Sequence, residues 1–513
     1  MSSPAKTRFP ALPLLLILGV VAAFFSVSSQ SLWIDEAQTA LKAIEPTLRG
    51  AFQALDAEHN SNMQMPLHII YIWFWVQLFG ASELALRASN IPCFFLAFFA
   101  IAHFLRRHPR LRNVTLLVFC VHPFVLYYLN EARAYALELS GAFLLAGALF
   151  YAMDSPEETL PASWWWYYGA GLLILCGATV IGVPWAFGIT FVLATLPSVR
   201  RSFRSALVPA LVFVPPLTVL ALYLGWTFRE DVRNTPLPMT IPSMLSVFYE
   251  LLGFLGLGPG RIDLRVNSVA ATYPYLVPLA FLAIPLAAGL ILALRRRFLL
   301  STGRFVTVLL LTGLPVVLTF ALGFARHARM LARHFTPLFP FILMGEACAV
   351  MLLWDTRRPI ARAAACLIVL SLAFSSIELR IAPRHARDDY RSAAAEARTA
   401  LAQHKIVWWG GEPEGAQYYH LPVTATPEPG TALLVYSLPD HFASPPDEIL
   451  LSKPDLNDFT GTLTAFIIAH HYVATARWQG FTLWQKPPPG ALTPRPLFPA
   501  LPPRAITSGS FSE

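Results

Sequence analysis

Eleven apolar runs, each 16 to 22 residues long, recur along this chain at 11–28, 88–105, 114–129, 136–152, 164–180, 182–197, 206–226, 273–294, 305–324, 336–353 and 360–377. A helix of about that length crosses a hydrocarbon core of roughly 30 Å. Only helices and closed barrels satisfy their own backbone in that medium. The chain therefore reads as a polytopic α-helical membrane protein. Composition excludes a water-soluble enzyme: charged residues make up 13% of the 513, hydrophobic residues 56%, and mean hydropathy is +0.54. A soluble globular protein carries about 25% charged residues.

The formal net charge is +8. The arginines fall in short clusters between apolar runs, where they orient spans, and no nucleic-acid partner is implied. Cys93, Cys120, Cys176, Cys348 and Cys366 all lie inside apolar runs, so they read as packing residues rather than a disulfide framework. Lys6 and Arg8 precede the first run, but no small-x-small cleavage site follows it, and the run reads as an uncleaved first span.

A twelfth candidate, 66–79, is shorter and carries His68, Gln77 and large aromatics, as an interfacial or re-entrant helix does. If it does not span, one face collects Lys6, Arg8, Arg106, Arg107, Arg110, Arg112 and the clusters 200–204, 295–304 and 357–362. The positive-inside rule makes that face cytoplasmic. The expectation is about eleven spans with the N-terminus inside and the C-terminus outside. The protein would be integral to the cytoplasmic (inner or plasma) membrane.

Three segments on the outer face are long: 30–87, 227–272 and 378–513. Expected domains are a membrane module over 1–377, a small α/β domain over 378–486, and a Pro-rich disordered tail over 487–513. Within the α/β domain a helix is expected over 385–403. Apolar runs at 406–409, 433–436 and 466–468 and a hairpin over 472–484 supply the sheet. No inverted repeat of the transporter kind is evident, and the spans are nearly free of charge.

Chemistry concentrates in three places. Asp35 and Glu36 stand within a few residues of the first span. On a helix or turn, neighbouring acids point to different sides, so one can face a reacting hydroxyl while the other structures the loop. A solvated juxtamembrane turn is the alternative. Asn130-Glu131-Ala132-Arg133-Ala134-Tyr135 is a polar cluster wedged between apolar helices, either facing a cavity or forming a surface pair. Arg326, His327, Arg329, Arg333 and His334 put basic groups at the outer end of a span. The fork of arginine matches phosphate oxygens, and helical spacing would put the three arginines on one face. Contact with ordinary anionic lipid is the alternative there.

Taken in order, these strings resemble GT-C glycosyltransferases, which include the protein O-mannosyltransferases and the lipid A aminoarabinose transferases. Leu32-Trp33-Ile34-Asp35-Glu36-Ala37 is similar to the family's first loop, followed by Pro66-Leu67 heading an aromatic helix. Glu131-Ala132-Arg133-Ala134-Tyr135 resembles its Glu-Ala-Arg-x-Tyr. Arg333-His334-Phe335 ahead of Pro337 and Pro340 resembles its late Arg-Tyr, and Asp388-Asp389-Tyr390-Arg391 resembles the start of its C-terminal domain. The chain departs from the pattern at Gln64-Met65-Pro66, where Pro-Pro or Lys-Pro-Pro is usual, and at His334, where Tyr is usual.

The resemblance implies a GT-C-like fold and inverting transfer of a sugar from a polyprenyl-phosphate donor. The acceptor would be a hydroxyl of a glycan, lipid or protein at the outer face. It implies Asp35 as general base with Glu36 beside it, and Arg133, Arg329, Arg333 and His334 as candidates for the donor phosphate. Glu131 and Tyr135 would hold the acceptor or, Glu131 together with Asp35, a divalent cation. No other cofactor is implied. A transporter or flippase for lipid-linked sugars, or a non-catalytic scaffold, are the competing readings.

Overall fold

The computed structural model describes residues 12–58, 61–155, 159–227, 239–296, 302–325, 327–436, 445–458 and 460–487. The chain divides into two compact units. One comprises Met1–Ser29 and Thr39–Ala386, the other Gln30–Gln38 and Arg387–Glu513.

In the first unit a helix occupies each of the eleven apolar runs. Among the described residues six are long and apolar enough to cross a membrane: Glu83–Phe104, Tyr135–Asp154, Phe203–Thr227, Arg261–Arg296, Ala332–Asp355 and Pro359–Ile381. A seventh is the pair Pro109–Val121 and Pro123–Leu129, bent by 54°. Leu12–Ser26, Ala162–Ala178, Gly182–Thr195 and Thr302–Ala325 fill the other four runs. The twelfth candidate is a helix of 14 residues, Pro66–Phe79, with Pro66 pre-set for its first turn.

The bend has a local cause. Pro123 disfavours helical backbone at the residue before it, and His122 is extended at φ −78° and ψ 124°. Its imidazole Nδ1 accepts the Phe124 N–H at 3.1 Å and so caps the second half. Helix Tyr135–Asp154 lies at the centre of the bundle, buried almost throughout. Gly141 lets a neighbour approach closely, because an added Cβ would stand 2.6 Å from the Leu175 backbone nitrogen. Phe124 stacks on Phe339 at 4.8 Å and Phe94 on Phe119 at 4.9 Å, tying early spans to a late one and to each other.

The second unit is built on a six-stranded sheet of β1 (Val407–Gly410), β2 (Val423–Thr424), β3 (Ala432–Leu434), β4 (Glu448–Ser452), β5 (Val473–Trp478) and β6 (Phe481–Gln485). Their order is β2-β3-β1-β4-β6-β5. The first four run parallel, with Trp408 beside Leu433 and Ile449; β6 and β5 join antiparallel, with Leu450 opposite Leu483. Alternation along β1 sends Trp408 to one face, with Phe466 and Ile467, and Trp409 to the other, with Tyr390 and Phe481. Helix Tyr390–Ala402 packs there through Ala393, Ala394, Ala397 and Ala400. Asp389 caps it by accepting the Ser392 N–H at 3.0 Å.

The expected helix, the first two strands and the closing hairpin are present. The run 466–468 is not a strand: it lies in helix Thr462–Ala469. Three apolar residues fit either element. The choice is made upstream, where the Asp458 carboxylate accepts the Leu463 and Thr464 N–H groups at 3.1 and 2.7 Å and so satisfies the first turn of a helix. The fourth parallel strand is instead Glu448–Ser452. The expected tail after residue 487 lies outside the described residues.

Candidate functional site

Within the membrane unit, the turn 130–134 joins helix Pro123–Leu129 to helix Tyr135–Asp154. Asn90 fixes it: its amide donates to the carbonyls of Leu129 and Glu131 at 3.2 and 2.6 Å. Glu131 and Arg133 are thereby held almost wholly buried. The Arg133 guanidinium donates to Thr39 Oγ1 at 3.0 Å and to Asn62 Oδ1. Both of those acceptors are neutral oxygens, which set the direction of the planar fork.

The late basic cluster meets this turn. Helix Thr302–Ala325 ends with His327 in the left-handed region at φ +48° and the Ala328 N–H bonded back to the Gly323 carbonyl at 2.9 Å. The chain then runs irregularly to Leu331 before the 3₁₀ helix Ala332–Leu338. The expected single helical face of arginines is therefore corrected. Arg329 lies in the irregular stretch beyond the helix end, Arg333 in the 3₁₀ helix, and Arg326 outside the described residues. Arg333 instead carries its guanidinium 5.7 Å from the Tyr135 ring centre, the range of a cation–π contact. Thr336 donates to the Arg333 carbonyl at 2.8 Å and steadies the turn. His334 Nδ1 accepts the Leu331 N–H at 3.1 Å, which puts the proton of the neutral ring on Nε2 and makes that atom a donor.

Two buried polar groups here lie outside the expected site residues, although the sequence shows His68 in the short segment 66–79. Glu138, one turn after Tyr135, accepts the Thr179 hydroxyl at 2.6 Å. His68 is buried beside the Arg133 charge, and neither ring nitrogen has a hydrogen-bond partner among the described residues. An ionisable residue inside an apolar stretch is itself a signal, and both carried it. Glu138 and Glu346, the latter buried in helix Phe339–Asp355, are exceptions to nearly charge-free spans.

In the second unit, Asp35 and Glu36 lie in the first turn of helix Ile34–Ala43. Glu36 is fully buried; its carboxylate accepts the Trp33 N–H at 3.4 Å and lies 4.0 Å from the Arg387 guanidinium. Those contacts give it a capping and anchoring job. Asp35 is half-buried, and its neighbours include Glu412. Burial first, then the charges of Glu414 and Asp35, raise the Glu412 carboxyl above the ordinary carboxylate range. Among the described residues no three His, Cys, Asp or Glu side chains converge to hold a metal ion. Asp35 lies in the second unit and Glu131 in the first.

The class of protein defined so far is a polytopic helical membrane protein bearing a mostly parallel α/β sheet domain. No family model and no curated protein matches the chain. Among solved structures it is similar to ArnT from Cupriavidus metallidurans bound to undecaprenyl phosphate, at 14% identity and a TM-score of 0.46, over 93% of this chain and 98% of that one. It is also similar to the arabinofuranosyltransferase AftD from Mycobacteria, at 12% identity and a TM-score of 0.43, over 96% of this chain and 41% of that one.

Proposed function

We propose that the protein is an integral-membrane inverting glycosyltransferase that moves a sugar from a polyprenyl-phosphate donor to an acceptor hydroxyl. In this reading the acceptor oxygen attacks the anomeric carbon as the bond from that carbon to the phosphate oxygen breaks. The hydroxyl proton passes to the Asp35 carboxylate, and the polyprenyl phosphate leaves with the bonding pair. A neutral nucleophile needs a base and an anionic leaving group needs cations, and the motif residues divide between those tasks. Arg133, Arg329, Arg333 and His334 are assigned to the phosphate, Glu131 and Tyr135 to the acceptor.

The observation that carries the reading is the meeting of Arg333 with Tyr135. Two motif positions about two hundred residues apart are brought within a cation–π contact, next to the buried Arg133 turn. An Arg333 that only met surface lipid would have no reason to lie half-buried over Tyr135, two residues from the buried Arg133. Lipid analysis of a strain lacking the protein tests the proposal. A polyprenyl-phosphate sugar should accumulate while one glycan, lipid or protein loses a residue. Unchanged lipid-linked sugars with every glycoconjugate intact would refute it.

A further inference from the structure

The carboxyl ends of the parallel strands in the second unit are the place where an open α/β sheet usually binds a ligand, beside the strand at which the connections change side. Here that strand is β1, with β3 and β2 on one flank and β4 on the other. The segment that follows β1 begins at Gly411 and carries Glu412, Glu414 and Tyr419. These residues engage another piece of the same chain, residues 30–38. The Tyr419 hydroxyl accepts the Leu32 N–H at 2.7 Å and lies 3.3 Å from the Ser31 hydroxyl. Ser31 Oγ in turn accepts the Arg391 N–H at 3.1 Å, in the first turn of helix Tyr390–Ala402. Gln38 donates to Glu414 at 3.1 Å, and Arg387 faces Glu36 at 4.0 Å.

Five contacts thus bracket Asp35 on both sides in sequence, all from residues of the C-terminal domain. We infer that this domain is a positioning device for the reaction: its strand-end crevice takes residues 30–38 where a ligand would otherwise sit, and fixes the direction of the Asp35 carboxylate. Tyr419, Glu414 and Arg387 are then positioning residues that act through Asp35. The inference rests on Asp35 being the base. A carboxylate at the start of a short helix depends on its supports, and small misplacements of a catalytic group are costly in rate.

The test uses the full chain in lipid, with two readouts: hydrogen exchange of the peptide 30–38, and sugar transfer resolved into kcat and donor KM. Tyr419→Phe keeps the ring and removes the hydroxyl. Exchange at 30–38 should quicken, and kcat should fall about tenfold or more with donor KM within about twofold. Gln38→Glu sets a carboxylate against Glu414 and should do the same, whereas adding Glu414→Gln to it should restore both readouts. This charge swap also decides the matter if Tyr419→Phe does not fold. Exchange unchanged in the single variants would overturn the clamp. Faster exchange with wild-type kcat would overturn its positioning role. A wild-type chain that transfers nothing from polyprenyl-phosphate sugars would sink the proposed function, and exchange with its charge-swap rescue would still judge the clamp.

Discussion

The Nε2 of His122 lies 3.3 Å from a Glu346 carboxylate oxygen, and both side chains are buried. Nδ1 of the same ring accepts the Phe124 N–H at the 54° bend, so Nε2 carries the proton of the neutral ring; it stands close to the acid without an aligned hydrogen bond to it. The pair joins the break between Pro109–Val121 and Pro123–Leu129 to helix Phe339–Asp355. An ionisable group so deep in apolar surroundings persists only with a partner, and here the partner is also the cap that holds the bend.

Glu346→Ala should therefore destabilise the bundle, since leaving one member of a buried polar pair without the other costs about 1–3 kcal/mol. Glu346→Gln, which keeps a polar partner beside Nε2 and leaves the His122 cap in place, should recover part of the loss. Thermal unfolding in detergent micelles measures both. An unchanged midpoint in Glu346→Ala would dispose of the bracing role.

Asp35→Asn preserves side-chain shape and removes most of its proton affinity. If it is the base, transfer should drop by about 10² to 10⁴, the usual cost of losing such a group. Binding of undecaprenyl phosphate, used as the probe, should stay within about twofold of wild type. Near-normal turnover would remove Asp35 from the role.

What the sequence makes legible follows the strength of the local signals. Long apolar runs admit one solution in lipid, so a helix stands in each of the eleven, and the aromatic stretch headed by Pro66 is a separate short helix. The placement of the late arginines is hidden because a helix end set by His327 at positive φ has no Gly to announce it. The run 466–468 is too short to show a period, and the decision rests on Asp458 several residues earlier. That residues 30–38 belong to the C-terminal unit is beyond local reading. It depends on Tyr419 and Glu414 finding partners nearly four hundred residues away in sequence.

The Glu412 carboxyl is raised chiefly by burial, with Glu414 and Asp35 adding to the effect. A folded chain that holds this proton more tightly than the unfolded one loses stability as pH rises through the carboxylate range toward the raised value. Glu412→Gln removes that loss. Melting of the variant should overlie wild type at about pH 4, near the ordinary glutamate value, and lie above it at neutral pH. Parallel curves across that range would contradict the assignment.

Arg333 separates a phosphate ligand from a lipid anchor. Its guanidinium lies over the Tyr135 ring, and a planar fork in that position can offer two hydrogen bonds to phosphate oxygens. Lysine keeps the charge but replaces the fork with a point donor. Arg333→Lys should thus weaken undecaprenyl phosphate binding and slow transfer by about tenfold or more, the scale of a lost charge-assisted hydrogen bond. Arg296→Lys, in the exposed basic cluster at the end of helix Leu276–Arg296, should change neither, because attraction to anionic lipid depends on charge alone at about 1 kcal/mol per residue. Equal tolerance at the two positions would take the phosphate away from Arg333 and leave Arg133, held by Thr39 and Asn62, as the residue to test.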